Sequence, residues 1–168
     1  MVKIYLILVL TFFLNQSLSA TEIYGKPKII DGDTVHINNK KIRLEGIDAP
    51  EIKQQCKKPF LKISSFVGFE LNKDYSCGVV SKNKLINIID NSKIKCISLS
   101  RDRYKRYLAT CYKDKVNLNR WMVRNGYAVA YRKYSKDYVR DEIYAKENKL
   151  GMWRGAFVEP EQWRRKNK

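Results

Sequence analysis

Residues 28 to 44 alternate between apolar and polar side chains: Ile29, then Val35 and Ile37, then Ile42 and Leu44, with Asn38-Asn39 in between. A period of two puts every second side chain on one face of a strand, and the paired asparagines supply a turn. The stretch therefore predicts a curled antiparallel hairpin with one buried face. Arg43 falls between Ile42 and Leu44, so the same period sends its guanidinium to the opposite face. A strand made only for packing has no use for it there.

Downstream, Leu85, Ile88 and Ile89 repeat at i, i+3, i+4 and predict an amphipathic helix over 79–89. Residues 94–99 and 107–112 read as two more strands, joined by a charged loop that runs from Arg101 to Arg106. Leu118, Trp121 and Met122, with Gly126 as the stop, predict a helix from about 116 to 125. Another spans 138–150 up to Gly151, with Val139, Ile143 and Leu150 on one side. Residues 53–76 carry scattered apolar positions between Cys56 and Cys77 and read as a loop insertion with little regular structure. The basic tail, 163–168, reads as loose. The order of elements gives an α+β class, most economically a small barrel with helices packed on it. At 168 residues the chain supports one core, so residues 21–168 are taken as a single domain.

Residues 1–20 read as a secretory signal: Lys3 comes first, an apolar run covers 4–14, and Ser17-Leu18-Ser19-Ala20 offers cleavage after Ser19 or Ala20. An uncleaved anchor is the alternative, and the run falls short of the roughly 20 residues that a span needs. The expected location is outside the cytoplasm, secreted or periplasmic. In such an oxidising space Cys56, Cys77, Cys96 and Cys111 suit two disulfides. Of the three connectivities, Cys56 with Cys77 and Cys96 with Cys111 is favoured. The second bridge would tie neighbouring strands across a 15-residue loop, worth about 3 kcal/mol in the chain-entropy model. With His36 the only histidine and no C-x-x-C pair, a zinc site is disfavoured. His36 lies in the alternating strand and is read as structural, which argues against Ser-His-Asp chemistry. Trp121, Trp153 and Trp163 are read as packing residues.

The formal charge is +17, and the first twenty residues contain one charged side chain, Lys3, which leaves +16 without them. That balance points to a polyanionic partner, although lipid or cell-wall polymer would be attracted as well as nucleic acid. Acids narrow the choice. Asp33, in Asp31-Gly32-Asp33-Thr34, sits at a strand entrance. Asp48 and Glu51 flank Ala49-Pro50, where proline stiffens the corner. A hard cation such as Ca²⁺ would find oxygen on Asp33, Asp48 and the Ala49 carbonyl, with waters completing a weak site. Arg43 and Arg106 could match the extra negative charge of a five-coordinate phosphorus. Acids beside a phosphate track repel a ligand unless a cation intervenes. The set therefore favours metal-assisted phosphodiester cleavage over a non-catalytic exported nucleic-acid-binding barrel, or an envelope protein.

The run Ile30 to Val35, Arg43-Leu44, Ile47-Asp48-Ala49-Pro50-Glu51, Asp102-Arg103-Tyr104-Lys105-Arg106, Gly126-Tyr127-Ala128 and Ala130-Tyr131 resembles the staphylococcal nuclease (thermonuclease) family, over about 29–153. The resemblance implies a five-stranded oligonucleotide-binding (OB) barrel with three helices. It implies a Ca²⁺-dependent endonuclease acting on DNA and RNA with little sequence preference and leaving 3′-phosphates, as a monomer without a stable protein partner. By position, Asp33, Asp48 and the Ala49 carbonyl would hold the metal and Glu51 would be the general base. Arg43 and Arg106 would clamp the phosphate, Arg103 and Tyr104 would touch a terminal phosphate, and Tyr131 would line the nucleotide pocket. Three departures stand out: Ala49 replaces a usual threonine, Lys105 replaces a usual glycine, and the second pocket tyrosine maps to Lys133 or Tyr134.

Overall fold

The computed structural model describes residues 20–63 and 69–167. The expected signal segment, apart from Ala20, lies outside the described residues. Alternation in the first third produces β1 (Thr21–Gly25), β2 (Lys28–Ile29), β3 (Thr34–Ile37) and β4 (Lys40–Leu44). The turn between β3 and β4 is Asn38-Asn39, at positive φ of 48° and 62°, a twist that suits a two-residue hairpin. Val35, Ile37, Ile42 and Leu44 are fully buried on the inner face, and Arg43 points away from them.

The chain continues through β5 (Ile47–Asp48), β6 (Gln55–Ile63), β7 (Phe69–Ser76), α1 (Cys77–Ile89), β8 (Ile94–Arg101) and β9 (Tyr107–Lys113). Then come β10 (Val116–Asn117), α2 (Leu118–Arg124), β11 (Val129–Ala130), α3 (Val139–Glu147), a 3-10 turn at Gly151–Arg154 and α4 (Pro160–Lys166). The main sheet runs β1-β8-β9-β4-β3-β2, with β10 attached to β9. Its pairs are antiparallel except β4 with β9. The sheet curls on itself. Gly25, ending β1, lies so near β3 that a Cβ there would come within 2.7 Å of Ile37. This is an α+β, OB-like half-barrel: the alternation predicts its curled hairpin, the element order its α+β class, and the family resemblance its OB character. Cys96 and Cys111 face each other across β8 and β9 and form a buried disulfide, and Cys56 bonds Cys77 at the start of α1.

Helix α1 buries Cys77, Ser81, Leu85 and Ile89, one stripe at intervals of four, with Leu85 and Ile89 in the core that holds Val35, Ile42 and Leu44. Helix α2 starts on Asn117, whose side chain accepts the Arg120 N–H, and ends before Gly126 at φ 72°. Its Asn119 is fully buried. The Asn119 amide donates to the carbonyls of Glu45 and Ala109 and accepts from the Cys111 N–H, which joins β9 to the β4–β5 turn.

Three expectations are corrected. The 53–76 insertion is a regular hairpin, β6 with β7, whose register shifts between Pro59 and Leu61. Among its described side chains, the packed ones sit at the base, Cys56 and Tyr75 with Cys77 of α1. The tail is not loose from Trp163. Helix α4 spans Pro160–Lys166, making four helices described where about three were expected. On α3, Ile143 is exposed, and the helix buries Asp141, Glu142 and Ala145 instead. Those two acids are buried because they are paired: Asp141 with Arg120 and Arg124, Glu142 with Arg132 and the Ala130 N–H. A count of apolar residues does not see such pairs.

Candidate active site

The β3–β4 register sets Thr34 opposite Arg43, which brings Arg43 to the strand end where Asp33 enters. Arg43 Nη1 donates to Asp33 Oδ1 at 2.6 Å and Nη2 to Asp48 Oδ1 at 3.0 Å, so one guanidinium bridges both acids. Asp33 Oδ1 also accepts from the Thr34 hydroxyl, and Oδ2 takes the Ala49 N–H at 2.8 Å. Asp48 is held in β5 by antiparallel pairing with Val129 and is 1% exposed. Burial pulls the Arg43 pKa down, but the charges of Asp33 and Asp48 overcome this and hold it above its ordinary value. Burial raises Asp48, against the lowering effect of its arginine partners. Asp31 is pushed up to about 6, chiefly by burial, with Asp33 and Glu51 adding repulsion.

Gly32 is needed for space. A Cβ there would stand 2.0 Å from Ser81 Oγ and 2.7 Å from the Ala49 Cβ, so only glycine lets the Asp31–Asp33 turn sit under α1. Its φ is not in the left-handed region, so space and not backbone conformation is what calls for glycine. Glu51 is fixed from behind. Its N–H donates to Gln54 Oε1, its carbonyl accepts the Gln54 N–H at 2.8 Å, and Gly78 of α1 lies so close that a Cβ would meet that carbonyl at 1.8 Å. Gln54, wholly buried, donates its amide to the Val158 carbonyl at 2.6 Å.

These residues open onto a cleft of about 790 Å³ lined by Asp33, Arg43, Ala49 and Glu51 together with Arg103, Tyr104, Arg106 and Tyr131. Asp48 lies just beneath. Every residue singled out from the sequence for the metal, base, phosphate or pocket thus converges on one place. Arg106 donates from Nε and Nη2 to Asp102 Oδ2 at 2.8 and 2.7 Å, and Asp102 Oδ1 caps the loop by accepting the N–H groups of Tyr104 and Arg106. Burial alone would raise Asp102, but its bonds to Arg106 hold it below the ordinary carboxylate value. The guanidiniums of Arg103 and Arg106 both lie over the Tyr104 ring. Tyr131 lies 6.0 Å from the Arg43 guanidinium and meets the Tyr134 ring edge-on at 4.7 Å. A separate hollow of about 560 Å³ between α2 and α3 is lined by Arg120, Arg124, Lys136 and Arg140 with Asp137 and Asp141, without the paired acids of the main cleft.

A family model described as "Staphylococcal nuclease homologue" matches residues 41–155. The chain is 34% identical over 139 residues to the Succinoglycan biosynthesis protein ExoI of Rhizobium meliloti, which covers 81% of this chain and 67% of that protein. It is 34% identical over 149 residues to an uncharacterized endonuclease of Haemophilus influenzae, covering 84% and 72%. With an uncharacterized endonuclease of Escherichia coli O157:H7 it shares 31% over 169 residues, covering 95% and 96%. The chain belongs to the staphylococcal nuclease family. It is a nuclease, a hydrolase of phosphodiester bonds.

Within that family the departures acquire structural meaning. Lys105 takes φ 62°, the backbone that a glycine would adopt freely, at a steric cost on the order of 1 kcal/mol. Ala49 presents its N–H to Asp33 and needs no side-chain oxygen to do so. Of the two candidates for the second pocket tyrosine, both line the cleft, and Tyr134 supplies the ring.

Sequence reasoning missed Arg164. Carried by α4, its Nη1 donates to Asp48 Oδ1 at 2.9 Å and to Glu51 Oε1 at 3.0 Å, and its Nη2 donates to Asp48 Oδ2 at 2.9 Å. A helix signal was present: proline at the first helical position, Glu161 in the first turn, and Arg164-Arg165-Lys166 in the last, all complementing the helix dipole. Nothing local told where that helix would dock.

Proposed function

We propose that this nuclease is exported, secreted or periplasmic, and is a Ca²⁺-dependent endonuclease that cuts DNA and RNA with little sequence preference, leaving 3′-phosphates. The observation that carries this is the convergence of Asp33, Asp48 and Glu51 with Arg43 at the floor of one cleft whose rim bears Arg103, Tyr104, Arg106 and Tyr131. Among the described residues no group of three or more His, Cys, Asp or Glu side chains is spaced to hold a metal. Two carboxylates and a main-chain carbonyl, all hard oxygen donors, fit a weakly held Ca²⁺ that keeps several waters. Asp33, Asp48 and the Ala49 carbonyl would hold it. When bound, the ion supplies Lewis-acid polarisation of the phosphoryl oxygen and eases deprotonation of water.

Glu51 takes the proton from the attacking water as that water closes on phosphorus, in line with the departing 5′ oxygen. Its backbone, pinned by Gln54 and by α1, keeps the carboxylate at a fixed approach to the cleft. Arg43 and Arg106 donate to the phosphate oxygens, and these bonds strengthen as negative charge builds in the five-coordinate state. Each is oriented beforehand by an acid, Arg43 by Asp33 and Asp48, Arg106 by Asp102. Tyr104 and Tyr131 offer faces for bases or sugars, which suits substrates without a set sequence. The two disulfides agree with an oxidising compartment, and no described helix is long and apolar enough to cross a membrane.

The test pairs wild type with Glu51→Gln on single-stranded DNA and on RNA, with Ca²⁺ and with chelator. The wild type is expected to cut both and to stop on chelation, and the variant is expected to bind substrate but turn over about 10²- to 10³-fold more slowly. Equal cleavage by the two in matched preparations removes Glu51 as the base. Activity that persists in chelator removes the cation.

A further inference from the structure

Arg164 lies beyond the residues that the family model matches and has no part in the scheme above. Its two Nη atoms meet both oxygens of Asp48, the fork-on-carboxylate arrangement that gives strong charge-assisted hydrogen bonds, and Nη1 also reaches Glu51. One side chain therefore engages a proposed cation ligand on both oxygens and the proposed base on one. We propose that Arg164 is the resident cation of this centre: a positioning residue that holds Asp48 and Glu51 together in the metal-free protein and must withdraw for a divalent cation to bind.

Three observations support an exchange. The first is charge. Asp33, Asp48 and Glu51 bring three carboxylates to the floor, and Arg43 compensates only part of that. A second guanidinium offsets half of the remainder and a divalent ion all of it. Whereas Arg43 meets one oxygen of Asp48, Arg164 takes both, so it competes with an ion for that carboxylate. The second is the carrier. Arg43 projects from a strand inside the main sheet and its side chain is 15% exposed, whereas Arg164 rides on a seven-residue helix and is 30% exposed. So short a helix has little stability apart from its docking, and Pro160 is the residue it buries. The third is the path. The chain leading to α4 is fastened through Lys57 to Ala156, Gln54 to Val158 and Trp153 against Phe157, all before Arg164. Its side chain can leave Asp48 without undoing those anchors.

The inference rests on the Ca²⁺ reading and has a consequence of its own. A site that must first release Arg164 binds its ion with an affinity reduced by the fraction of molecules in which Asp48 is free. If about one molecule in ten is open, removing the guanidinium tightens binding about tenfold.

The experiment titrates Ca²⁺ calorimetrically into wild type, Arg164→Gln, Arg164→Lys and Asp48→Asn, with thermal melts of each protein with and without the ion. Arg164→Gln is expected to bind Ca²⁺ about tenfold tighter than wild type, to melt lower without Ca²⁺, and to gain more from adding it. Arg164→Lys, which keeps the charge but loses the fork, is expected to fall between them and serves if the glutamine variant does not fold. A residue with only a structural role would weaken stability and ion binding together, so the opposite signs are diagnostic. Equal or weaker binding in the Arg164 variants, with binding abolished in Asp48→Asn, overturns the exchange and leaves the metal reading standing. No binding by any of the four proteins overturns both.

Discussion

Two regions of the molecule deliver an arginine to the same carboxylate. The curled sheet brings Arg43 to Asp48 along β4, where the neighbours of the guanidinium are set by strand register. The segment after Gly151 brings Arg164 to Asp48 from a surface helix, after passing the Cys56–Cys77 hairpin and Gln54. The first arrangement is fixed by strand register in the core sheet, and the second by the docking of a short helix on that core. The difference teaches that a strand-borne ion pair and a helix-borne one can meet at a single residue, distinguished by what carries each arginine.

The sharpest way to break this comparison is Arg43→Ala. It leaves Asp33 and Asp48 buried without their shared partner, at an expected cost of about 3–5 kcal/mol in chemical denaturation. In the fraction that still folds, cleavage should fall at least about 10²-fold. A loss no larger than that of Arg164→Gln would erase the distinction between the two regions. Next in size is removal of the hairpin bridge by Cys56→Ser with Cys77→Ser. The bridge spans 21 residues, and its loss should cost about 3 kcal/mol in denaturant melts. Because that hairpin base lies beside Glu51 and under the last segment, turnover should drop while the spectroscopic signature of the sheet persists. Unchanged turnover would show that the added region does not brace the base.

The smallest effect concerns Asp102, which belongs to neither arginine of the comparison and serves as its control. Its pKa is held below the ordinary 3.8 in the folded protein, where bonds to Arg106 outweigh burial. The unfolded chain binds that proton first as pH falls, so the contribution to stability is present above about pH 4 and is lost on further acidification. Asp102→Asn should cost under about 1 kcal/mol at neutral pH, and the gap from wild type should close in acid melts. A gap that holds constant down to pH 2 would show that the carboxylate charge is not what steadies the Arg106 loop.

Much of the sheet could be read from the chain because alternation is a local signal. Val35, Ile37, Ile42 and Leu44 declare a face within a few residues of one another, and the odd placement of Arg43 follows from the same period. Asp33, Arg43, Glu51 and Arg106 could be picked out from the chain and line one cleft, whereas Arg103, Tyr104 and Tyr131 were named only through the family resemblance. What escaped was structure held from a distance. The β6–β7 hairpin is packed at its base among the described side chains, and that contact is made with distant parts of the chain. The buried face of α3 is made of Asp141 and Glu142, which only their arginine partners make tolerable. Arg164 lies 116 residues from Asp48 in the chain, and nothing in its neighbourhood points there.

Gln54 sets a length for the working unit. Its buried amide finds an acceptor at Val158, three residues past the last position shared with the family pattern. A fragment trimmed to residue 155 would strand that amide in the interior, at a penalty of about 1–3 kcal/mol. The corner bearing Glu51 would loosen at the same stroke. For this nuclease, the stretch that the family model matches ends before the segment that closes over the buried amide behind Glu51.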